Sequence, residues 1–141
     1  MLNFRFNSKH FFKMIISDEI IESLQKDLRA GGSFLGGPKA FFNNAGDTTL
    51  RLLLSKGMNT ESKVLDIGCG CLRIGVKLIN FLEKKCYYGI EPNKFMLDTG
   101  IKYLINGTAN DTKDPSFSNT TSFQLDDFQV GKFDYFIARS I

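Results

Sequence analysis

The chain has 141 residues, of which 43% are hydrophobic and 23% charged, so it is long enough to bury the core of one globular domain. Its net charge of +3 comes from basic residues that form no run or stripe, which argues against a nucleic-acid or membrane partner. Its three cysteines, an odd number, do not make a disulfide framework and indicate a reducing, cytoplasmic setting.

The first 16 residues are predicted to form a loose arm. Basic residues interrupt every apolar run there, so the arm lacks the unbroken apolar core of a secretory signal. No stretch of the chain approaches the length of a membrane span. The arm contains His10, the only histidine. A metal site built from His10, Cys69 and Cys71 is not expected, because no second pair of ligands exists at a useful spacing.

Two amphipathic helices are predicted before the first strand. Ser17 and the acidic residues after it are typical of a helix start, and the apolar pattern then continues to Ala30. The glycine-rich segment 31–38 is a flexible loop without the Lys-Ser/Thr ending of a P-loop. A second helix is predicted from Pro38 to Lys56. Residues 17–57 are therefore expected to form one N-terminal unit.

A short apolar strand, 64–67, leads directly into a glycine turn and then a helical pattern that begins at Leu72. Glycines at 68 and 70 permit positive φ and let a ligand lie against the backbone, whose N–H groups are expected to face it. A dinucleotide-binding turn would need a third glycine where this chain has Arg73. Asp66 would also repel a pyrophosphate. The turn therefore favours a ligand that carries positive charge or hydroxyl donors.

A second acidic residue stands at a distance typical of nucleoside-binding proteins. Residues 86–90 are predicted to form a strand, and Glu91 stands at its end, about 20 positions after Gly70. At that distance an acidic residue accepts hydrogen bonds from ribose hydroxyls. Two signals at this spacing are more specific than either alone.

These residues resemble motif I and the second acidic residue of the class I S-adenosylmethionine-dependent methyltransferases. The motif is an acidic residue, x, Gly, x, Gly, and here it consists of Asp66, Gly68 and Gly70 with Cys69 between the glycines. Many members have a third glycine where this chain has Leu72.

The resemblance spans about residues 31–141 and implies an α/β fold, a Rossmann-like doubly wound parallel sheet. It implies S-adenosylmethionine as the cofactor. The loop of Gly68, Cys69 and Gly70, oriented by Asp66, would bind it, and Glu91 would hold the ribose, with Pro92 beside it as a further cofactor-binding residue.

The resemblance also implies that the N-terminal helices and glycine loop, 17–57, act as a lid over the cofactor, lined by Phe34, Phe41 and Phe42, and that 58–141 is the binding core. An apolar stripe that only packs in the core is the alternative interpretation of these helices.

The remaining elements complete the first half of that fold. A helix is predicted from Asn93 to Ile105, a polar loop over 107–119 and a third strand over 121–125. The family places an acidic residue after this strand to bind adenine, which implies a role for Asp127 with Phe128, or for Asp126. A carboxylate in a plain acidic turn is the alternative interpretation.

The fourth strand is predicted over 132–138, and Arg139 and Ser140 leave its carboxyl end. Ligands of open α/β sheets bind beyond these ends, where the strand order reverses. The resemblance places Arg139 near the methionine part of the cofactor and the substrate. The family sheet has seven strands, so Ile141 is expected to mark a truncation that leaves the fourth strand as an exposed edge, open to an oligomeric contact.

The sequence thus predicts a methyltransferase acting on an unidentified acceptor, with a small molecule favoured because the chain has no basic stripe. It identifies no catalytic base. Two alternatives stay open: another nucleotide enzyme of the doubly wound class, such as an NAD-dependent one, and a half-domain that binds a partner protein without turnover.

Overall fold

A computed structural model describes residues 14–122, 128 and 130–139 of the chain. Its α-helices are α1 (Asp18–Ala30), α2 (Phe42–Ser55), α3 (Gly75–Phe81) and α4 (Lys94–Leu104). Two short 3-10 helices, Lys39–Phe41 and Ala109–Lys113, lie between them, and the strands are β1 (Val64–Ile67), β2 (Tyr87–Ile90), β3 (Ser116–Ser118) and β4 (Tyr135–Ala138). None of the helices in these ranges is long and apolar enough to cross a membrane.

The four described strands form one parallel sheet in the order β3-β2-β1-β4. Val64 of β1 pairs with Tyr87 of β2 on one side and with Tyr135 of β4 on the other. The chain leaves β1 towards β2 and β3 and later returns to the opposite side of β1, so the strand order reverses there. This is the topology of a Rossmann-like α/β fold, which confirms the predicted fold class.

The strands bury both faces of the sheet with alternate residues. Val64 and Tyr87 belong to the large core that the sheet shares with the four α-helices. Leu65, Tyr88 and Ile90 belong to a smaller apolar cluster that includes Phe133 and is joined by Phe128. Within the described residues, β4 pairs only with β1, and Phe136 of β4 is 59% exposed.

The N-terminal helices form where they were predicted, with small differences at their ends. Ser17 caps α1 by accepting a hydrogen bond from the N–H of Ile20, while α2 starts at Phe42 after a 3-10 turn. Residues 14–16, at the end of the predicted arm, are held by α2: the backbone of Ile16 exchanges two hydrogen bonds, of 2.8 and 2.9 Å, with the Asn43 side chain. Residues 1–13 lie outside the described ranges.

Two local predictions were wrong. A strand, Ser116–Ser118, lies inside the segment predicted as a polar loop. Of the strand predicted over 121–125, Thr121 and Ser122 form a bend, and 123–125 lie outside the described residues. Polar residues form β3 because pairing with β2 satisfies their backbone groups at the edge of the sheet. Helix α3 begins at Gly75 rather than at Leu72, because the backbone of Leu72 is left-handed, with a φ of 67°.

Candidate cofactor site

A cleft of about 360 Å³ lies at the carboxyl ends of β1, β2 and β4. It is the place that the reversal of strand order predicts for a ligand. The residues around it come from the glycine loop, the β1–α3 turn, the end of β2, the start of α4 and the end of β4: Phe34, Gly36, Asp66, Gly68, Cys69, Gly70, Cys71, Arg73, Ile74, Glu91, Asn93, Met96 and Arg139.

The β1–α3 turn has the conformation that its glycines predict. Gly68 and Gly70 have φ values of 73° and 58°, which a side chain would make unfavourable. The expectation that their N–H groups face a ligand is not confirmed. The N–H groups of Gly68 and Cys69 both donate to the carbonyl of Ile90, and that of Gly70 donates to Glu91. The turn is therefore fastened to the end of β2 by its own backbone.

Leu72 stands at the position where the resembling family often has a third glycine, and its φ of 67° is one that glycine adopts without strain. A left-handed conformation costs a residue with a side chain roughly 1–2 kcal/mol. The Leu72 side chain is fully buried in the core, and burial of a leucine is worth about 1.5–3 kcal/mol. The packing offsets the strain, so the turn keeps its shape without the third glycine.

The Glu91 carboxylate is fixed in place by two backbone groups. Its Oε2 accepts from the N–H of Gly70 at 2.9 Å, and its Oε1 accepts from the N–H of Asn93 at 2.8 Å. An ionised carboxylate has about four acceptor positions, so two remain for a ligand. Glu91 thus links the glycine turn to the start of α4 and presents free acceptors to the cleft.

Asp66 lies beneath the turn and is only 4% exposed. The hydroxyl of Tyr87, the first residue of β2, donates to its Oδ2 at 2.7 Å. A Cβ on Gly75 would come within 2.3 Å of that hydroxyl, so the glycine makes room for the tyrosine ring. Burial raises the pKa of Asp66 to about 7, the Tyr87 hydrogen bond opposes this rise, and the charge of Glu91 adds to it.

We expect Asp66 to make folding stability fall as pH rises towards 8. A carboxyl whose pKa is higher in the folded chain than its usual value near 3.8 holds its proton more tightly when folded. Its contribution is therefore fully present below about pH 4 and is lost as pH rises through 7. Chemical denaturation at pH 5 and pH 8 should show a loss on the order of 2 kcal/mol relative to Asp66→Asn, which stays uncharged. Equal pH dependence in both proteins would contradict this assignment.

The two cysteines of the turn serve packing rather than chemistry. A Cβ on Gly89 would come within 2.9 Å of the Cys69 sulfur, and one on Gly36 within 3.0 Å of the Cys71 sulfur. Burial raises the pKa of Cys71 to about 11 and that of Cys69 well above its usual value, so both thiols are neutral at physiological pH. All three cysteines of the chain are free. Among the described residues, no group of His, Cys, Asp and Glu side chains is placed to hold a metal ion.

Six of the predicted cofactor-binding residues come together around the cleft: Asp66, Gly68, Cys69, Gly70, Glu91 and Arg139. Pro92 is half-buried and does not line it. Phe128 lies against Tyr88, with ring centres 5.4 Å apart, in the apolar cluster on the other face of the sheet, so it does not line the cleft either. Asp126 and Asp127 lie outside the described residues.

The sequence did not assign Gly36, Arg73 or Met96 to the cleft. The Gly36 backbone reaches it because the buried Gln25 side chain donates to the carbonyls of Leu35 and Gly37, at 3.0 and 2.8 Å, and so fixes the glycine loop. No short motif marks these residues. The glycine-rich segment 31–38, which precedes motif I, was the one feature of the sequence that could have placed Gly36 at the cleft.

A comparison with models of protein families gives no match, and a comparison with curated proteins gives no significant one. Among solved structures, the chain resembles magnesium protoporphyrin IX methyltransferase (ChlM) from Synechocystis PCC 6803 with bound SAH (S-adenosylhomocysteine). The TM-score is 0.53 at 19% identity, over 92% of this chain and 49% of that one. A structure of the same enzyme with bound SAM (S-adenosylmethionine) gives 0.49 at 20% identity, over 92% and 51%. This chain therefore spans about half the length of the methyltransferase whose Rossmann-like fold it shares.

Proposed function

We propose that this chain is the S-adenosylmethionine-binding part of a methyltransferase. The observation that carries the proposal is the placement of Glu91 at the end of β2, beside the reversal of strand order. Its carboxylate is held rigidly and has two free acceptor positions, which suits the two hydroxyls of a ribose. The resemblance in fold to a methyltransferase structure with bound SAH supports the same cofactor.

The chemistry of the cleft fits this cofactor better than a dinucleotide. S-adenosylmethionine carries a sulfonium and an ammonium group, and Asp66 and Glu91 supply two carboxyl groups to the cleft. The N–H groups of Gly68, Cys69 and Gly70, which would bind a pyrophosphate in a dinucleotide fold, have partners within the protein. The methyl group of the cofactor is itself electrophilic when bound, so the part assigned to the chain is to orient it.

In this proposal, residues 17–57 cover the cofactor. Phe34 and Gly36 of the glycine loop line the cleft, and Phe34 remains 63% exposed. A small-molecule acceptor would enter beside the loop. The proposed location is cytoplasmic, which the three free cysteines favour.

The test is a calorimetric titration of the purified chain with S-adenosylhomocysteine at pH 8, where Asp66 is ionised. We expect saturable binding of one molecule per chain, and no binding of NAD in a parallel titration. Circular dichroism should first establish that the chain is folded. The variant Gly70→Val would serve as the site control, because its side chain would point at Met96 and strain a backbone with a φ of 58°.

The other outcomes select among the alternatives. Binding of NAD without S-adenosylhomocysteine would replace the proposal with a different nucleotide enzyme. A folded chain that binds neither compound would refute the cofactor assignment and favour a half-domain that binds a partner protein, for which the open side of β4 is the first surface to test.

A further inference from the structure

Two arginines, Arg73 and Arg139, line the cleft. Neither forms an ion pair with an acidic residue in the part of the chain that the structure describes. Arg73 is partly buried and Arg139 is exposed, and both guanidinium groups keep their positive charge at any physiological pH. The two acids of the same cleft do not neutralise them, since Asp66 is bonded to Tyr87 and Glu91 to backbone N–H groups.

Both arginines lie on the side of the cleft formed by α2. A Cβ on Gly46 of α2 would come within 3.1 Å of the Arg73 carbonyl oxygen, so this glycine lets Arg73 approach the helix. One turn further along α2, Thr49 accepts a 2.5 Å hydrogen bond from Nη1 of Arg139. Thr49 is buried and donates to the carbonyl of Ala45, which fixes the acceptor.

The side chain of Arg73 is also positioned by the glycine loop. A Cβ on Gly37 would come within 2.7 Å of Nη1 of Arg73, and the carbonyl of Gly37 accepts from Gln25. The absence of a side chain at this position therefore makes space for the guanidinium. Each guanidinium has five N–H donors, and Arg139 uses one on Thr49, so donors remain for a ligand.

The charges of the cleft are separated across β1. Ile67 pairs with Ile90 on one side and with Ala138 on the other, so Glu91 and Arg139 leave the sheet at the same level on opposite sides of Gly68. Neighbouring strands are about 4.8 Å apart, which places these two backbones roughly 10 Å from each other. A ligand that spans this distance would meet hydroxyl acceptors at one end and cations at the other.

We propose that Arg73 and Arg139 form an anion-binding pair that recognises a carboxylate in the cleft. Two guanidinium forks are suited to a planar carboxylate, to which they donate charge-assisted hydrogen bonds. The carboxylate belongs either to the amino-acid end of the cofactor or to the methyl acceptor. This inference rests on the proposed function for the identity of the ligand but not for the existence of the anion site.

The test compares two nucleosides that differ in the carboxylate. S-Adenosylhomocysteine carries the amino-acid group, and 5′-methylthioadenosine lacks it. We expect the double variant Arg73→Gln/Arg139→Gln to bind S-adenosylhomocysteine about 10- to 100-fold more weakly and 5′-methylthioadenosine as well as the unaltered chain does. Arg29→Gln, a change of an exposed arginine in α1, is the matched charge control. Arg73→Lys and Arg139→Lys should lose less than the glutamine variants because they keep the charge.

A second titration tests whether the carboxylate that the arginine pair recognises belongs to the methyl acceptor. If the double variant binds S-adenosylhomocysteine as tightly as the unaltered chain does, butyrate is then titrated into both proteins, each saturated with S-adenosylhomocysteine. Saturable binding to the unaltered chain and not to the double variant would assign the pair to the acceptor's carboxylate. If butyrate binds neither protein, or binds both equally, the proposal is overturned. An equal loss of both nucleosides in the double variant would also overturn it, because the arginines would then only hold the loop.

Failure of the proposed function would be recognised separately. A chain that binds neither nucleoside has no nucleoside site, yet butyrate titrated into the free chain and into the double variant still tests the arginine pair. Selective binding to the unaltered chain would retain the anion site alone, and equal or absent binding would remove it as well.

Discussion

Replacing Gly100 by alanine is expected to displace the glycine turn and to weaken S-adenosylhomocysteine binding by at least tenfold. Gly100 lies in α4, and a Cβ there would come within 2.4 Å of the carbonyl oxygen of Cys71 and 2.6 Å of its carbonyl carbon. Both atoms belong to the backbone of the turn, so no side chain can rotate away. The turn or the helix must move, and such overpacking costs about 1–3 kcal/mol.

Helix propensity alone would predict the opposite effect of Gly100→Ala on folding stability. Alanine is favoured over glycine within a helix by about 1 kcal/mol, which would stabilise the variant if the site had space. The clash is the larger of the two effects, so we also expect a lower midpoint of chemical denaturation. Gly131→Ala is the control, because a Cβ at that position has no atom within 4 Å. A Gly100→Ala protein as stable and as tightly binding as the unaltered chain would show that α4 does not set the position of the turn.

The variant Glu91→Ala is expected to weaken S-adenosylhomocysteine binding by roughly 10- to 100-fold. Each hydrogen bond to a charged group contributes about 1.5–3 kcal/mol, and Glu91 is proposed to accept from the ribose. The variant also removes the acceptors of the Gly70 and Asn93 N–H groups, so the turn loses its link to α4. Glu91→Gln keeps one oxygen acceptor and should lie between the alanine variant and the unaltered chain.

A ligand without ribose hydroxyls separates these two contributions. S-Adenosylhomocysteine and its 2′,3′-dideoxy analogue should differ strongly in affinity for the unaltered chain and little for Glu91→Ala. If the loss of the hydroxyls costs both proteins the same affinity, Glu91 acts on the turn and does not contact the ribose. Glu61→Ala, a change at an exposed carboxylate outside the cleft, controls for net charge.

Several features of this protein follow from the local chemistry of short segments. Glycines at 68 and 70 permit a left-handed turn whatever the later part of the chain does. Glu91 follows a short apolar strand, and its separation from Gly70 is the length that a turn, a helix and a second strand require. The α1 cap at Ser17 and the parallel sheet follow from similarly local patterns. These features were therefore predictable, and with them six residues of the cleft.

Which polar groups have hydrogen-bond partners within the protein, and which remain available to a ligand, depends on contacts that form only in the folded chain. Burial by the fold raises the pKa of Asp66 to about 7, although Tyr87 of the neighbouring strand donates a hydrogen bond that opposes the rise. The N–H groups of Gly68 and Cys69 donate hydrogen bonds to the carbonyl of Ile90 in β2. The segment Ser116–Ser118 becomes a strand because it pairs with the outer edge of β2. Burial and pairing depend on residues far apart in the chain, so the periodicity of one segment cannot reveal them.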